Sequence, residues 1–349
     1  MIPSPHFRRL AFFTRLLDAA PAAERYRLAA EQIAHAERFG YDAAWVAQHH
    51  FHEHEGGLPS PFVFLGHLAA RTTKIRLGTG IVTLPLELPV RVAEDAIVLD
   101  LISDGRLELG VGNGGNPTAF AGFELDNEDR NGLFVRNLAR LKTALAGETI
   151  PGGDTLYPQQ PGLVERMWQA TFSVSGGARA GAAGDGLMLS RTQPRPPETP
   201  DATLAEIQDP IIDAYLAALP PGRTPRIVGS RSVFVAETRA DALRLAELGL
   251  RKAVSRFLER GHRPPGDTLA DMIRAFDVHV GTPNDVITSL RADRTLARVT
   301  DLAVQVHSID PPNPWILRSI ELVAQEVAPA FGWRPQGEQS QHSEVESVA

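Results

Sequence analysis

Residues 74–112, KIRLGTGIVTLPLELPVRVAEDAIVLDLISDGRLELGVG, decide the fold. KIRLGTGIV reads as a buried strand and PVRVAEDAIVLDLISDG as an amphipathic helix opened by proline. RLELGVG follows as the next strand. Strand, helix and strand within forty residues form a βαβ unit, whose two strands lie parallel. The same alternation continues outward in both directions. Strands are expected at residues 10–17, 42–47, 75–82, 107–112, 170–174, 186–190, 226–235 and 301–309, each followed by a helix. The helix over TLAEIQDPIIDAYLAAL is expected to be interrupted at Pro210. This pattern predicts an α/β fold, a (β/α)8 TIM barrel with insertions after the fourth helix and after the sixth strand. An open doubly wound sheet is the alternative, but its first strand–helix turn would carry a glycine fingerprint, and LLDAAPAA has no glycine. One domain is expected over residues 1–334, with a disordered polar tail over 335–349.

Composition excludes several classes. The chain has 349 residues, 43% of them hydrophobic and 22% charged, which is ordinary for a soluble globular protein. A net charge of -7 argues against attraction to nucleic acid or an anionic membrane. There are no cysteines, so disulfides, thiolate metal sites, iron–sulfur clusters and thiol nucleophiles are excluded. Redox chemistry would need a bound cofactor. FRRLAFFTRLLDAAPAA mimics an export signal, but Arg15 and Asp18 interrupt its apolar run; a cytoplasmic location is expected. No uninterrupted apolar run approaches the ~18 residues that span a bilayer.

In such a barrel, chemistry sits where the strands end. The second strand leads into AWVAQHHFHEHEGG, with His49, His50, His52 and His54 among Glu53 and Glu55. Three readings are open: a metal site built on the HxH pair of His50 and His52, a single histidine acting as a base, or a solvated loop. For a metal, His262 and His279 fall in or beside expected helices, and His307 inside the last strand. The fifth strand runs into SVSGGARAGAAGDG. There Ser175, Gly176 and Gly177 either open a helix that seats phosphate or form a tight turn capped by Ser175.

WVAQHHF, LGTGIVTLPLELPVRVAEDAIVLDLISDGRLELGVGNGG and FAGFELDNEDR closely resemble the bacterial luciferase-like flavin monooxygenases. TFSVSGGARAGAAGDGLMLSRTQPR is similar to a subgroup of FMN-dependent members with unassigned substrates. The resemblance implies a barrel that binds reduced FMN delivered by a separate flavin reductase. Oxygen would then form a peroxyflavin that oxidises a small organic substrate. It implies His49 as the catalytic histidine beside the flavin and a non-proline cis peptide at Gly80–Ile81 under the ring. Asn113 stands at a cofactor-contacting position, and Ser175, Gly176, Gly177 and Ala178 at the phosphate. A metal is not implied, and a homodimer through the helices of residues 60–71 and 89–103 is.

The sequence also departs from the family pattern. Gln48 replaces a frequent glutamate. Asn113 stands where light-emitting members carry arginine, and Gly112 where they carry a reactive cysteine. Phosphate or pyrimidine contacts would then fall to Arg179 or Arg191, and light emission with a long-chain aldehyde is not supported. Residues 191–225 are expected to form a lid that excludes water. The alternatives are a deazaflavin (F420)-dependent oxidoreductase on the same barrel, a metal-dependent hydrolase using HHFHEHE, and a non-catalytic flavin-binding relative.

Overall fold

The computed structural model describes residues 7–335. Eight parallel strands close a barrel: β1 (Arg9–Thr14), β2 (Ala43–Val46), β3 (Arg76–Thr79), β5 (Leu107–Gly112), β6 (Met167–Ala170), β7 (Gly186–Leu189), β8 (Ile227–Val235) and β10 (Asp301–Gln305). Closure comes from β10, which pairs with both β1 and β8. Two short strands are additional: β4 (Val82–Thr83) extends the β3 side and pairs with β5, and β9 (Val278–Gly281) pairs with the last residues of β8.

Helices alternate with the strands: α1 (Ala22–Arg38), α2 (Pro61–Ala69), α3 (Pro89–Ile102), α4 (Pro117–Gly122), α5 (Arg130–Leu145), α6 (Val174–Ala182) and α7 (Leu204–Ala218). After β8 come α8 (Arg239–Glu259), α9 (Leu269–Ala275), α10 (Pro283–Ala292) and, after β10, α11 (Asn313–Leu322). The (β/α)8 barrel is therefore as the alternation predicts. The tail over residues 336–349 lies outside the described residues.

Four local expectations need correction. The fifth barrel strand lies at Met167–Ala170, not 170–174; its pairing with β5 aligns Trp168 with Gly110 and Ala170 with Gly112. His307 follows β10, which ends at Gln305, while His279 lies in β9, beside the helices α9 and α10. α7 runs straight through Pro210, because a Thr203–Glu206 capping box and the buried face of Leu204, Ile211, Ile212 and Tyr215 outweigh one lost hydrogen bond. Residues 204–218 of the expected lid over 191–225 form this barrel helix, which leaves the segment before Leu204 as its loop part next to the strand end.

The barrel is plugged by two indoles. Trp45 and Trp168 meet edge to face with ring centroids 5.7 Å apart, among Ala11, Ala43, Val228 and Ala303. Glycine makes room for each: a Cβ on Gly78 would lie 2.2 Å from the Trp45 ring, and one on Gly186 would lie 2.1 Å from the Trp168 ring. Below the indoles, at the strand starts, lies an ion network. Glu108 accepts from Arg9 at 3.0 Å, Arg76 at 2.5 Å and the Trp168 indole at 2.6 Å. Asp301 takes a second pair of bonds from Arg9, and Asp100 pairs with both terminal nitrogens of Arg166. Charges at this end are matched, so the opening lies at the other end.

Candidate active site

Above the plug, the inner wall at the strand ends is formed by Phe13, Ile81, Ala170 and Met188. The Gly80–Ile81 peptide is cis, and both residues are half-buried. A Cβ on Gly80 would meet the Phe13 ring at 2.6 Å, and Gly112 lies against Ile81. These contacts make a low apolar shelf at the mouth, open from above.

His49 stands beside this shelf. Its backbone N–H donates to the Leu58 carbonyl at 3.0 Å, and Gly56, at φ +138°, lets the loop lie against the imidazole. Arg15 Nε donates to His49 Nε2 at 3.3 Å, so Nε2 is the acceptor and the ring proton sits on Nδ1. Burial, reinforced by Arg15 and Arg260, holds His49 well below the usual imidazole range. The group is thus a neutral imidazole at pH 7, with Nδ1–H free to donate. Arg15 is placed in turn by His307 Nε2, which accepts from its backbone N–H at 2.9 Å, and by the Glu55 carbonyl, at 2.5 Å from Nη2. The other ring nitrogen of His307 faces Asp310.

The rest of the histidine-rich loop divides by contact. His50 packs edge-on against Phe123, with centroids 4.9 Å apart, and its buried Nε2 has no partner. Burial lowers its pKa. The rings of His52 and His54 meet at a tilt of 37° with centroids 5.4 Å apart. The glutamates are not merely solvated: Glu53 pairs with Arg25 at 3.0 Å, and Glu55 accepts from Asn116 at 2.6 Å. Among the described residues no three or more His, Asp or Glu side chains converge as metal ligands. Gln48 points into the wall, where it donates to Glu87 at 2.7 Å and accepts from the Thr83 N–H at 2.7 Å.

At the fifth strand end the phosphate expectation shifts in register. The N-cap of α6 is Ser173, not Ser175: its hydroxyl accepts from the Gly176 N–H at 3.1 Å, and its carbonyl already takes the Gly177 N–H. Val174 and Ser175 therefore hold the open N–H groups of the first turn. The hydroxyls of Thr171, Ser173 and Ser175 are linked by contacts of 3.3 Å around them. The glycines serve packing. A Cβ on Gly177 would lie 2.4 Å from the Ile211 carbonyl of α7, and one on Gly181 would lie 2.2 Å from that of Tyr215. Ser175, Gly176, Gly177 and Ala178 thus sit within the helix, with only Ser175 at its exposed start.

Asn113 lies at the mouth just beyond β5. Its amide nitrogen donates to Asn131, and its buried Oδ1 has no partner. Arg179 is committed elsewhere, donating to Gln169 at 3.0 Å with its guanidinium over the Phe134 ring. Arg191, by contrast, is only 3% exposed, and its Nη1 has no hydrogen-bond partner. Arg15 is a site residue that only its place at the end of the first strand signals in the sequence. A surface cleft of about 710 Å³ lies between α1 and α2, lined by Tyr26, Val63, Phe64 and His67 and by Leu58 and Pro59 at the end of the loop after β2.

A closed parallel barrel with its polar and apolar constellation gathered at the C-terminal mouth defines a (β/α)8-barrel enzyme. Comparison with known proteins narrows the class. The family model of luciferase-like monooxygenases matches residues 9–300. The chain is 29% identical over 324 residues to 4-hydroxyprotoasukamycin monooxygenase of Streptomyces nodosus subsp. asukaensis, covering 84% of each. It is 29% identical over 321 residues to limonene 1,2-monooxygenase of Rhodococcus erythropolis, covering 86% of this chain and 80% of the relative. Among solved structures, monooxygenase RslO1 from Streptomyces bottropensis superposes with a TM-score of 0.78 at 24% identity, over 93% of this chain and 99% of the other. The oxygenating constituent of 3,6-diketocamphane monooxygenase from Pseudomonas putida, solved with FMN, gives 0.70 at 19% identity, over 93% and 98%. The F420-dependent tetrahydromethanopterin reductase of Methanopyrus kandleri gives 0.66 at 19%, over 94% and 100%. The chain belongs to the luciferase-like monooxygenase family, and it is an enzyme of the flavin-dependent monooxygenase and oxidoreductase class. Among the described residues no helix is long and apolar enough to cross a membrane.

Proposed function

We propose that the enzyme is a two-component, FMN-dependent monooxygenase that oxidises a small organic substrate with O2, using reduced FMN supplied by a separate flavin reductase. One observation carries this reading: the start of α6 offers two open N–H groups ringed by three hydroxyls, facing the same mouth as His49 and the cis Gly80–Ile81 shelf. Such a donor set suits a phosphate ester, since the helix dipole and the unpaired N–H groups both favour negative charge.

In this arrangement Val174 N–H, Ser175 N–H and the Thr171, Ser173 and Ser175 hydroxyls hold the phosphate. Ile81, Gly80 and Gly112 would line the face against which the flavin packs, and Asn113, whose Oδ1 has no partner, would be the nearby polar group. Bound reduced flavin supplies two electrons to O2, so that one oxygen atom enters the substrate and the other leaves as water. Neutral His49 donates through Nδ1–H rather than acting as a base, because Arg15 occupies its Nε2. The segment before Leu204, with the exposed Phe51 and Phe172, excludes water from the mouth.

A reducing cytoplasm suits a chain without cysteine, and that is the location we propose. A homodimer through α2 and α3 is supported by the exposed Val63, Leu88 and Ile102 on that flank. The test of the cofactor is an anaerobic titration with reduced FMN and with reduced F420, followed by mixing with O2. Tighter binding of reduced FMN, with slower hydrogen peroxide release than from free reduced FMN, is expected. Preference for F420, or release as fast as in buffer, would favour hydride transfer without oxygen.

A further inference from the structure

The mouth holds more positive charge than its own acids match. Arg15, Arg191, Arg256 and Arg260 influence one another electrostatically, with Asp310 and Glu55 as their nearby acids. None of the four lies within salt-bridge distance of a carboxylate among the described residues. Hydrogen bonds fix where they converge. Arg15 binds the His49 ring and the Glu55 carbonyl; Arg256 Nη1 binds the His54 carbonyl at 2.7 Å. Arg260 Nη1 binds Thr192 at 3.2 Å, one residue from Arg191.

They also grade inward. Arg260 is exposed, Arg256 and Arg15 are partly buried, and Arg191 is buried. Two of the four have a structural account, since Arg256 and Arg260 lie at the C-terminus of α8 and complement its dipole. That account does not reach Arg15 or Arg191. A buried guanidinium with an unpaired N–H costs stability unless something binds it. Burial, with Arg15 next, pushes Arg191 well below the usual guanidinium range, and the opposing pull of Asp310, which is not within salt-bridge distance, does not offset it.

We propose that the enzyme takes an anionic substrate, an organic acid whose carboxylate is held by Arg191 and Arg15 beside His49, with Arg256 and Arg260 drawing it in at the rim. A guanidinium fork matches a carboxylate in two parallel hydrogen bonds, which fixes the orientation of the substrate as well as its charge. The proposal names the substrate class for the site described above and rests on that reading. The start of α6, on the fifth strand, supplies a separate anion seat for the cofactor, which leaves the arginine cluster for the substrate.

The test separates the two sources of negative charge, substrate and flavin. The purified flavin-free chain is titrated at fixed ionic strength with acetate, benzoate and hexanoate and with the three corresponding amides. Reduced FMN is titrated separately under argon. At least one carboxylate should bind tenfold or more tighter than its amide, and Arg191→Met should erase that preference. Reduced FMN affinity should change less than threefold, and the melting temperature of Arg191→Met should equal or exceed that of the parent. Arg191→Lys, which keeps the charge, should retain part of the preference and serves if the methionine variant does not fold. Equal binding of every acid and amide overturns the proposal. So does a tenfold loss of reduced FMN affinity in Arg191→Met, which would assign the cluster to the flavin. A lower melting temperature with the preference intact would assign Arg191 to the fold. The acid–amide comparison needs no flavin, so it stands whether or not the chain binds FMN.

Discussion

The two ends of the barrel are both rich in arginine and treat it in opposite ways. At the strand starts, Arg9, Arg76 and Arg166 each face a carboxylate of Glu108, Asp301 or Asp100 within 3.1 Å. At the strand ends, Arg15 faces the His49 imidazole and the Glu55 carbonyl, and Arg191 Nη1 is buried with no partner. Matched buried charges organise the closed end, while unmatched ones wait for a ligand at the open end. The contrast separates stability from function by position along the same strands.

The largest effect should come from breaking the matched end. Glu108→Ala leaves Arg9 and Arg76 short of a partner and the Trp168 indole without an acceptor. It should cost about 3–5 kcal/mol, read as a drop in the denaturant midpoint. The loss of less than 1 kcal/mol would show that the network is ornamental.

Acid should act on the other half. His262 and His279 lie in the elaboration after β8, and burial lowers both from 6.5 to about 4. Unfolded histidine binds protons below about pH 6.5, whereas these bind only near 4. Their contribution is therefore complete above pH 6.5 and is lost as the pH falls towards 4, by at most roughly 3 kcal/mol each. Unfolding at pH 5.5 should take up protons, and His279→Gln should flatten the dependence. A stability profile flat from pH 7 to 5 would contradict the burial of neutral imidazoles.

A smaller effect tests the α6 register. Gly177→Ala pushes a methyl towards the Ile211 carbonyl and should destabilise by about 1–3 kcal/mol. Its reduced FMN affinity should change far less than that of a variant at Ser175. The smallest stability change belongs to Arg191→Met at the open end, which should leave the melting temperature level or raise it by a few degrees.

Much of the fold was legible because alternation of apolar strands and amphipathic helices is a local signal. Residues 74–112 carry it without ambiguity. What sequence did not show depends on contacts made across the barrel. Gly78 and Gly186 are glycine because two indoles need their space, and the indoles lie 33 and 18 residues away from them in the chain. The fifth strand was misplaced by three residues because ATFSV has β-branched and aromatic residues, while the observed strand, MWQA, contains a buried glutamine that binds Asp185. The N-cap followed the same slip, since Ser173 and Ser175 are equally good capping residues. A single strand-end histidine was legible as a candidate base, but the choice of His49 among the four and the cis peptide came only with the family resemblance. Arg15 and Arg191 were in view as strand-end residues, but their lack of a carboxylate within salt-bridge distance is a property of the folded chain.

The proposed cofactor seat at the start of α6 fixes where the flavin phosphate would lie. The decisive measurement is the anaerobic dissociation constant of reduced FMN for the parent and for Ser175→Asp, with reduced riboflavin as the phosphate-free control. Aspartate in the first turn suits the helix dipole, so the fold should keep its melting temperature, while a carboxylate beside the phosphate should repel it. The expected result is at least a tenfold loss of reduced FMN affinity with riboflavin binding unchanged. Equal affinity of both proteins for reduced FMN would contradict the placement of the phosphate and with it the orientation of the flavin in the mouth.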